Sequence, residues 1–323
     1  MRPAVSIVMP VFDRLKYLGE TVDSIFDQSF LDWELLIADD GSGAETQAYL
    51  RTIEDGSRVK VIRLSHSGNP AAVRNAALNR ACGEYVAFID SDDVWMKDKL
   101  HTQIASLRAQ IGLEWGYTAF TLMDDAGNLL RGPRAGRCPT AHARILDRLV
   151  REEALVVTPS VVVRRDLIAR VGGYNENLLV CEDYDLWLRL ASCGEADFIE
   201  RPLVRVRRHA EHSFDDVSCL ENLRRVVESA QRSAAAAHLA PVLGKRRADI
   251  SVTLARRHAA NRHGLRVLVT LWSSASYSWR YGRWWTGGLA AIIRALAPEG
   301  ALRALRRYRH AGKAAAALRA TPR

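Results

Sequence analysis

Over the first ninety residues, apolar runs of five or six residues alternate with stretches whose apolar positions recur at helical spacing. Ala4–Met9 (AVSIVM), stopped by Pro10, reads as a buried strand. Leu18, Val22, Ile25 and Phe26 then mark a helix over Tyr17–Phe26. A second strand, Trp33–Ala38, ends in the turn Asp39-Asp40-Gly41-Ser42. A helix over Glu45–Ile53, a strand over Val59–Leu64, a His66–Pro70 loop and a helix over Ala71–Arg80 follow. Tyr85–Ile89 (YVAFI) is a fourth strand, ended by Asp90-Ser91-Asp92-Asp93. This alternation predicts an α/β fold with a mostly parallel sheet and right-handed crossovers.

The pattern then loosens. Glu114–Leu122 reads as a strand and Asp124–Asn128 as a hairpin-type turn, followed by a Gly/Pro/Arg loop over Arg131–Cys138. Val156–Val163, interrupted by Pro159, suits an edge strand. Gly172–Asn175 is a turn, Glu182–Leu190 opens an amphipathic helix, and Phe198–Val206 is a late strand. Helices are expected over Leu220–Leu243 and Arg246–Leu271.

The parallel topology has a chemical corollary. Ligands of open α/β sheets sit beyond the carboxyl ends of the strands. Pro10–Asp13, Asp39–Ser42 and Asp90–Asp93 each follow a strand directly, so all three crowd one edge. Several carboxylates together are costly without a cation, and the edge reads as a metal-assisted binding site. Asp90 and Asp92 alternate at a strand tip, so both can face one cleft, although a solvated acidic turn has the same sequence. Arg74-Asn75, on the preceding helix, can reach a diphosphate or a base edge, or form a surface ion pair. Glu182, Asp183 and Asp185 open a helix, where the dipole alone favours acids, and Arg189 follows on it. His209 and His212 come after the basic run Arg205–Arg208.

Together the segments VSIVMPVFDR, LLIADDGS, GNPAAVRNAAL, GEYVAFIDSDDVWMKDKL and GGYNENLLVCEDYDLWLRLA resemble the family 2 glycosyltransferases of GT-A fold, over residues 4 to about 213. The resemblance implies an inverting transferase that uses a nucleotide-diphosphate sugar, a UDP-sugar foremost, and a divalent cation, Mg²⁺ or Mn²⁺. It implies that Pro10, Val11, Phe12, Asp13 and Asp39, with Asp40 beside it, line the base and ribose pocket. Arg74 would contact the base or diphosphate, Ser91 would lie near the ribose, and Asp92 would be the principal metal carboxylate with Asp90 beside it. Asp183 would be the catalytic base, supported by Glu182 and Arg189, and His209 a further metal or phosphate contact. Asp13 stands where Asn is common. Nothing matches the QxxRW signature of processive synthases, so one sugar per encounter is expected. The implied acceptor is a glycan or a lipid-linked saccharide, as in bacterial surface polysaccharide synthesis.

Composition adds three constraints. With 48% hydrophobic and 26% charged residues among 323, the chain is neither disordered nor fibrous. Its five scattered cysteines show no metal-ribbon spacing, and it has neither a long apolar leader nor a membrane-spanning run, so a cytoplasmic setting is expected. The net charge of +9 is unevenly spread: from Lys245 onward there are 17 Lys/Arg against only Asp249 and Glu299, leaving 29 basic and 35 acidic residues before it. A catalytic domain over residues 1–215 and a basic helical region over 216–323 are therefore expected. Trp272–Trp285 carries Trp272, Tyr277, Trp279, Tyr281, Trp284 and Trp285 beside Arg280 and Arg283, and Leu289–Leu296 and Leu302–Tyr308 are further basic amphipathic segments. Aromatic rings with Arg suit an anionic membrane surface at the inner face of the cell membrane. A packed helical cap is the competing explanation, and no nucleic-acid motif accompanies the charge. A silent sugar-nucleotide binder or scaffold, and a nucleotidyltransferase releasing pyrophosphate, are the rival functions. The latter lacks a Gly-rich phosphate loop.

Overall fold

In the computed structural model, β1 (Val5–Val11), β2 (Trp33–Asp39), β3 (Val59–Arg63) and β4 (Tyr85–Phe88) lie side by side, all parallel, in the order β3-β2-β1-β4. The structure describes residues 2–130, 142–143, 145–209 and 216–297. The Arg131–Cys138 loop, His212 and the Leu302–Tyr308 segment fall outside them. Ile7 pairs with Leu35 on one side and Ala87 on the other. All three are fully buried, as central parallel strands require. The crossovers are α1 (Leu15–Phe26), α2 (Ala44–Ile53) and α3 (Pro70–Leu78). The start of α3 has a local cause. The Asn69 side chain accepts from the Ala71 and Ala72 N–H groups, and Pro70 occupies the first turn, where no N–H is needed.

Beyond β4 come β5 (Val94–Trp95), α4 (Lys99–Ala109), β6 (Trp115–Met123), β7 (His142–Ala143) and α5 (Leu146–Val150). Then follow β8 (Val161–Arg164), α6 (Arg165–Val171), α7 (Glu182–Cys193) and β9 (Ala196–Arg207). β8 inserts antiparallel between β4 and β6, while β9 runs parallel to β6 over most of its length. β5 and β7 add short antiparallel pairings to β9. The long pairings are thus parallel and the short ones antiparallel. The segment expected as an edge strand lies inside the sheet. Thr158–Ser160 forms a 3-10 turn that absorbs Pro159, so β8 begins only at Val161, where every residue can donate to a neighbour. Val161, Val162 and Val163 are fully buried, each apolar side chain worth about 1.5–3 kcal/mol.

The described residues cluster into two units, one holding those up to 209 together with 228–242, the other 216–227 together with 243–297. α8 (Asp216–Arg232) contributes to both. Residues 228–242 cluster with the sheet, although their composition resembles the basic region. There the 3-10 turn Ala234–Leu239 packs on α5 and α7, burying Ala236 and Leu239, and His238 meets Asp147 at 2.9 Å. The second unit holds α9 (Ala240–Ala260) from Leu243 onward, α10 (Gly264–Ser278) and α11 (Gly282–Leu296). The helix expected through Leu271 breaks after Ala260, where Arg262 takes a left-handed φ of 61°. Ala248, Val252, Ala255, Val267, Leu271, Trp284 and Ala291 form this unit's core. Gly287 permits the close packing, since a Cβ there would sit 2.3 Å from Val252.

Candidate active site

Parallel strands bring their carboxyl ends to one edge, and a cleft of about 310 Å³ opens there. Its walls come from the end of β1 (Pro10, Val11, Phe12), the loop after β3 (His66, Gly68), α3 (Pro70, Val73, Arg74) and the end of β4 (Asp90, Ser91, Asp92), with Arg14 and Asp40. Asp40 is buried and shapes the wall. Its carboxylate accepts from Ser67 N and Oγ (2.8 and 2.9 Å) and from Gly68 N (2.9 Å). The half-exposed Phe12 ring stacks on His66, with centroids 4.1 Å apart, which gives the cleft a flat aromatic lip.

Two residues expected in the pocket lie elsewhere. Asp13, at a left-handed φ of 45°, turns its carboxylate to Gly43 N (2.8 Å) at the start of α2. Asp39 accepts from Ser42 N and from the Gln47 side chain. Both anchor the strand-end turns, and neither lines the cleft.

The acidic turn after β4 is held from β9. Arg207, with its side chain almost fully buried, donates to the carbonyls of Asp92 (2.9 Å), Asp124 (3.2 Å) and Asp125 (3.1 Å) and pairs with Glu20. Its own N–H reaches Asp93 Oδ1 at 2.8 Å. This arrangement brings His209 between two carboxylates, Nε2 to Asp92 at 2.9 Å and Nδ1 to Asp125 at 2.6 Å. Burial, then the neighbouring Asp90 and Asp92, push the Asp93 carboxyl well above the usual carboxylate range.

Arg74 joins this turn to the second acidic group. Its guanidinium donates to Asp90 Oδ1 and Glu182 Oε1, each at 2.7 Å, and is almost fully buried. Burial alone would lower its pKa, but Asp90, Tyr174 and Glu182 overcome that and raise it. The link fixes the start of α7, whose preceding residue, Cys181, is left-handed and offers no side-chain cap. Asp183, next along, is partly buried, with Oδ1 accepting from Tyr184 N (2.6 Å) and Oδ2 facing Thr158 Oγ1 (3.5 Å). Burial raises the pKa of Asp183, the Tyr184 N–H and Arg74 oppose it, and Asp90 adds to it. Glu182 is raised by burial too, with Arg74 opposing.

Arg189 acts at one remove. It pairs with Asp185 (2.7 Å) and donates to the carbonyls of Val171 and Gly173, both at 2.7 Å. Asn75 holds the same loop from α3, exchanging bonds with Tyr174 O and N, both at 2.9 Å. Gly173 needs its φ of +67°, and a Cβ would lie 2.9 Å from Asn75 Oδ1.

The donor set suits one kind of ion. Among the described residues, no three His, Cys, Asp or Glu side chains form a cage. Asp92 and His209 converge within 2.9 Å beside Asp90, which with Asp92 lines the cleft. Mg²⁺ and Mn²⁺ ions that accompany phosphates need only one or two protein ligands, and these residues fit such an ion. Reading the sequence missed Arg14, His66, Asp125 and Arg207. Only His66 carried a signal, its place just after the third parallel strand.

The model for glycosyl transferase family 2 matches residues 6–116. The putative teichuronic acid biosynthesis glycosyltransferase TuaG of Bacillus subtilis is 38% identical over 130 residues, which span 40% of this chain and 51% of that relative. The chain therefore spans about half of that relative's length, and about a third of two further relatives from Rickettsia. The UDP-Glc:alpha-D-GlcNAc-diphosphoundecaprenol beta-1,3-glucosyltransferase WfgD of Escherichia coli is 36% identical over 186 residues, 58% of this chain and 69% of the relative. Staphylococcus aureus TarS 1–349 in complex with UDP-GlcNAc superposes with a TM-score of 0.60 at 20% identity, covering 92% of this chain and 82% of that one. The mannosyltransferase PcManGT of Pyrobaculum calidifontis, in complex with GDP-Man and Mn²⁺, gives 0.56 at 18% identity, covering 91% and 86%. At such identities the structures establish the fold, which is GT-A. Because identity above a third covers 69% of a curated relative, in addition to the family model's match over residues 6–116, the chain belongs to glycosyltransferase family 2.

Proposed function

We propose that the chain transfers one sugar per encounter, with inversion, from a nucleotide-diphosphate donor to a hydroxyl of a glycan or lipid-linked saccharide. One observation carries the reading: Arg74, in the cleft wall, bridges Asp90, next to Asp92 at the cleft, and Glu182, which adjoins Asp183 at the start of α7. A UDP-sugar is the favoured donor, since WfgD is named for UDP-Glc and TarS was solved with UDP-GlcNAc. The teichuronic acid and diphosphoundecaprenol in the relatives' names support a lipid-linked acceptor in surface polysaccharide synthesis. Such an acceptor calls for work at the cytoplasmic face of the membrane, with peripheral attachment through the basic region. Among the described residues no helix is long and apolar enough to cross a membrane.

In this reading Phe12 and His66 offer a flat surface to the base, and Ser91 and Asp40 border the ribose. Asp92 and His209 would hold the divalent cation, which would offset the charge that grows on the departing diphosphate. Asp183 accepts the proton of the acceptor hydroxyl as that oxygen attacks the anomeric carbon. A carboxylate with its pKa raised by burial is the stronger base for this step, worth roughly 10²–10⁴-fold. Attack from the side opposite the diphosphate inverts the centre. Glu182 holds Arg74 and so fixes the start of the helix that carries the base.

The test is release of nucleoside diphosphate from UDP-sugars, with lipid-linked saccharide acceptors and Mn²⁺ or Mg²⁺ present. Release that depends on acceptor and metal is expected. Donor binding without release would make the chain a silent binder, and full activity in excess chelator would remove the cation from the mechanism.

A further inference from the structure

The second unit buries one apolar face of α10 and leaves another bare. Val267, Thr270, Leu271, Ser274 and Ser278 face its core. Leu265, Leu268, Val269 and Trp272 recur at the same helical spacing on the opposite side and are 52–86% exposed. From Val267 to Trp279 the helix carries no charge. On α11, Trp284, Gly287, Gly288 and Ala291 face inward, while Trp285, Leu289, Ile293 and Leu296 form an exposed row, each at least 56% accessible. Trp279, at the turn between the helices, is 59% exposed, and its carbonyl accepts from Trp285 Nε1 at 2.7 Å. An ordinary surface helix shows one apolar stripe, turned inward. Here each helix shows two.

We infer that the outer rows of α10 and α11 are a docking surface for an anionic lipid bilayer, lying in its interface without crossing it. The inference rests on the peripheral attachment proposed above and names the residues that perform it. Charge selects the occupant. Arg266, Arg280, Arg283 and Arg294 stand on or beside the two helices, and the chain from Lys245 onward carries 17 basic residues against two acids. Each basic residue near an anionic surface adds attraction, while Trp at headgroup depth and Leu or Ile below it add apolar burial. A nucleic acid would use the arginines and leave the Leu, Ile and Val side chains without a partner.

The full-length protein should co-sediment with phosphatidylglycerol-containing vesicles and far less with phosphatidylcholine alone. In vesicle flotation, which separates bound from aggregated protein, high salt should weaken binding only in part, because screening acts on charge and not on buried rings. Brominated lipid should quench tryptophan fluorescence of the unaltered protein. The triple variant L268E/W272E/I293E should bind vesicles at least about tenfold more weakly, given the apolar area it withdraws. Its donor hydrolysis in vesicle-free buffer should stay unchanged, so vesicle binding and the proposed transfer are scored apart. The inference is overturned if the unaltered protein stays in the supernatant at low salt or shows no quenching. It is overturned equally if binding survives the triple substitution. A dimer in solution that the substitutions dissolve, without vesicle binding, would assign the face to a second copy of the chain.

Discussion

Asp183 bears the proton step in the proposed reaction, and its environment sets a pH dependence. A base works only when ionised, and burial raises this carboxyl above its ordinary value. The rate should therefore fall on acidification at a pH above the usual carboxylate range near about 4. Arg74 opposes the rise at both Asp183 and Glu182, so Arg74→Gln should move the acid limb to higher pH. An unmoved limb would show that the two groups do not communicate. Asp183→Asn keeps the shape and removes the proton affinity. Donor binding should persist while turnover drops by roughly 10² or more, read by single-turnover kinetics. Near-normal turnover would move the base to Glu182 or Asp185. Asp93 has the opposite bearing on stability. Its raised pKa means that ionisation opposes folding, so whatever stability its proton supports is lost as pH rises through the folded value. Asp93→Asn should raise Tm in metal-free buffer at alkaline pH and change it little in acid. At this scale the sequence locates chemistry but not direction. Asp13, Asp39 and Asp40 all fall at the right edge, yet only Asp40 lines the cleft, because a turn decides where a carboxylate points.

The crossovers β1 to β4 were legible because apolar runs and helical periods alternate without interruption, and helix starts such as Asn69-Pro70 carry their own signals. β8 was not legible as an interior strand. Its four residues follow a proline, and nothing local tells an edge from the middle of a sheet. α7 was placed at its first residue by its acids, whereas the reason it stays there is remote, since Arg74 and Glu182 are 108 positions apart. The loop before it depends on a similar reach from Asn75 on α3. Gly173→Ala should strain that loop, through a left-handed φ and a contact with Asn75, and cost about 1–3 kcal/mol in chemical denaturation. Donor turnover should fall with it, because the loop and α7 share Arg189. Unaltered stability would mean that the loop relaxes freely.

At the scale of the molecule, charge balance separated an acidic globule from a basic region, but it could not place the join. Residues 228–242 are alanine-rich and read like the tail, yet Ala236 and Leu239 are buried with the first unit. A chain ending at Val242 should stay folded and keep donor hydrolysis, while one ending at residue 215 should melt at lower temperature. Equal melting temperatures would show that the 3-10 turn adds nothing. The bare face of α10 has a consequence for handling the protein. Apolar rows that await a surface also attract one another, and in dilute buffer the net charge of +9 on each chain opposes that. Added salt screens this repulsion within about 10 Å at 0.1 M and leaves the attraction intact. The purified chain should therefore cloud on addition of salt and clear on desalting, the reverse of common salting-in practice, and a mild detergent should abolish the difference.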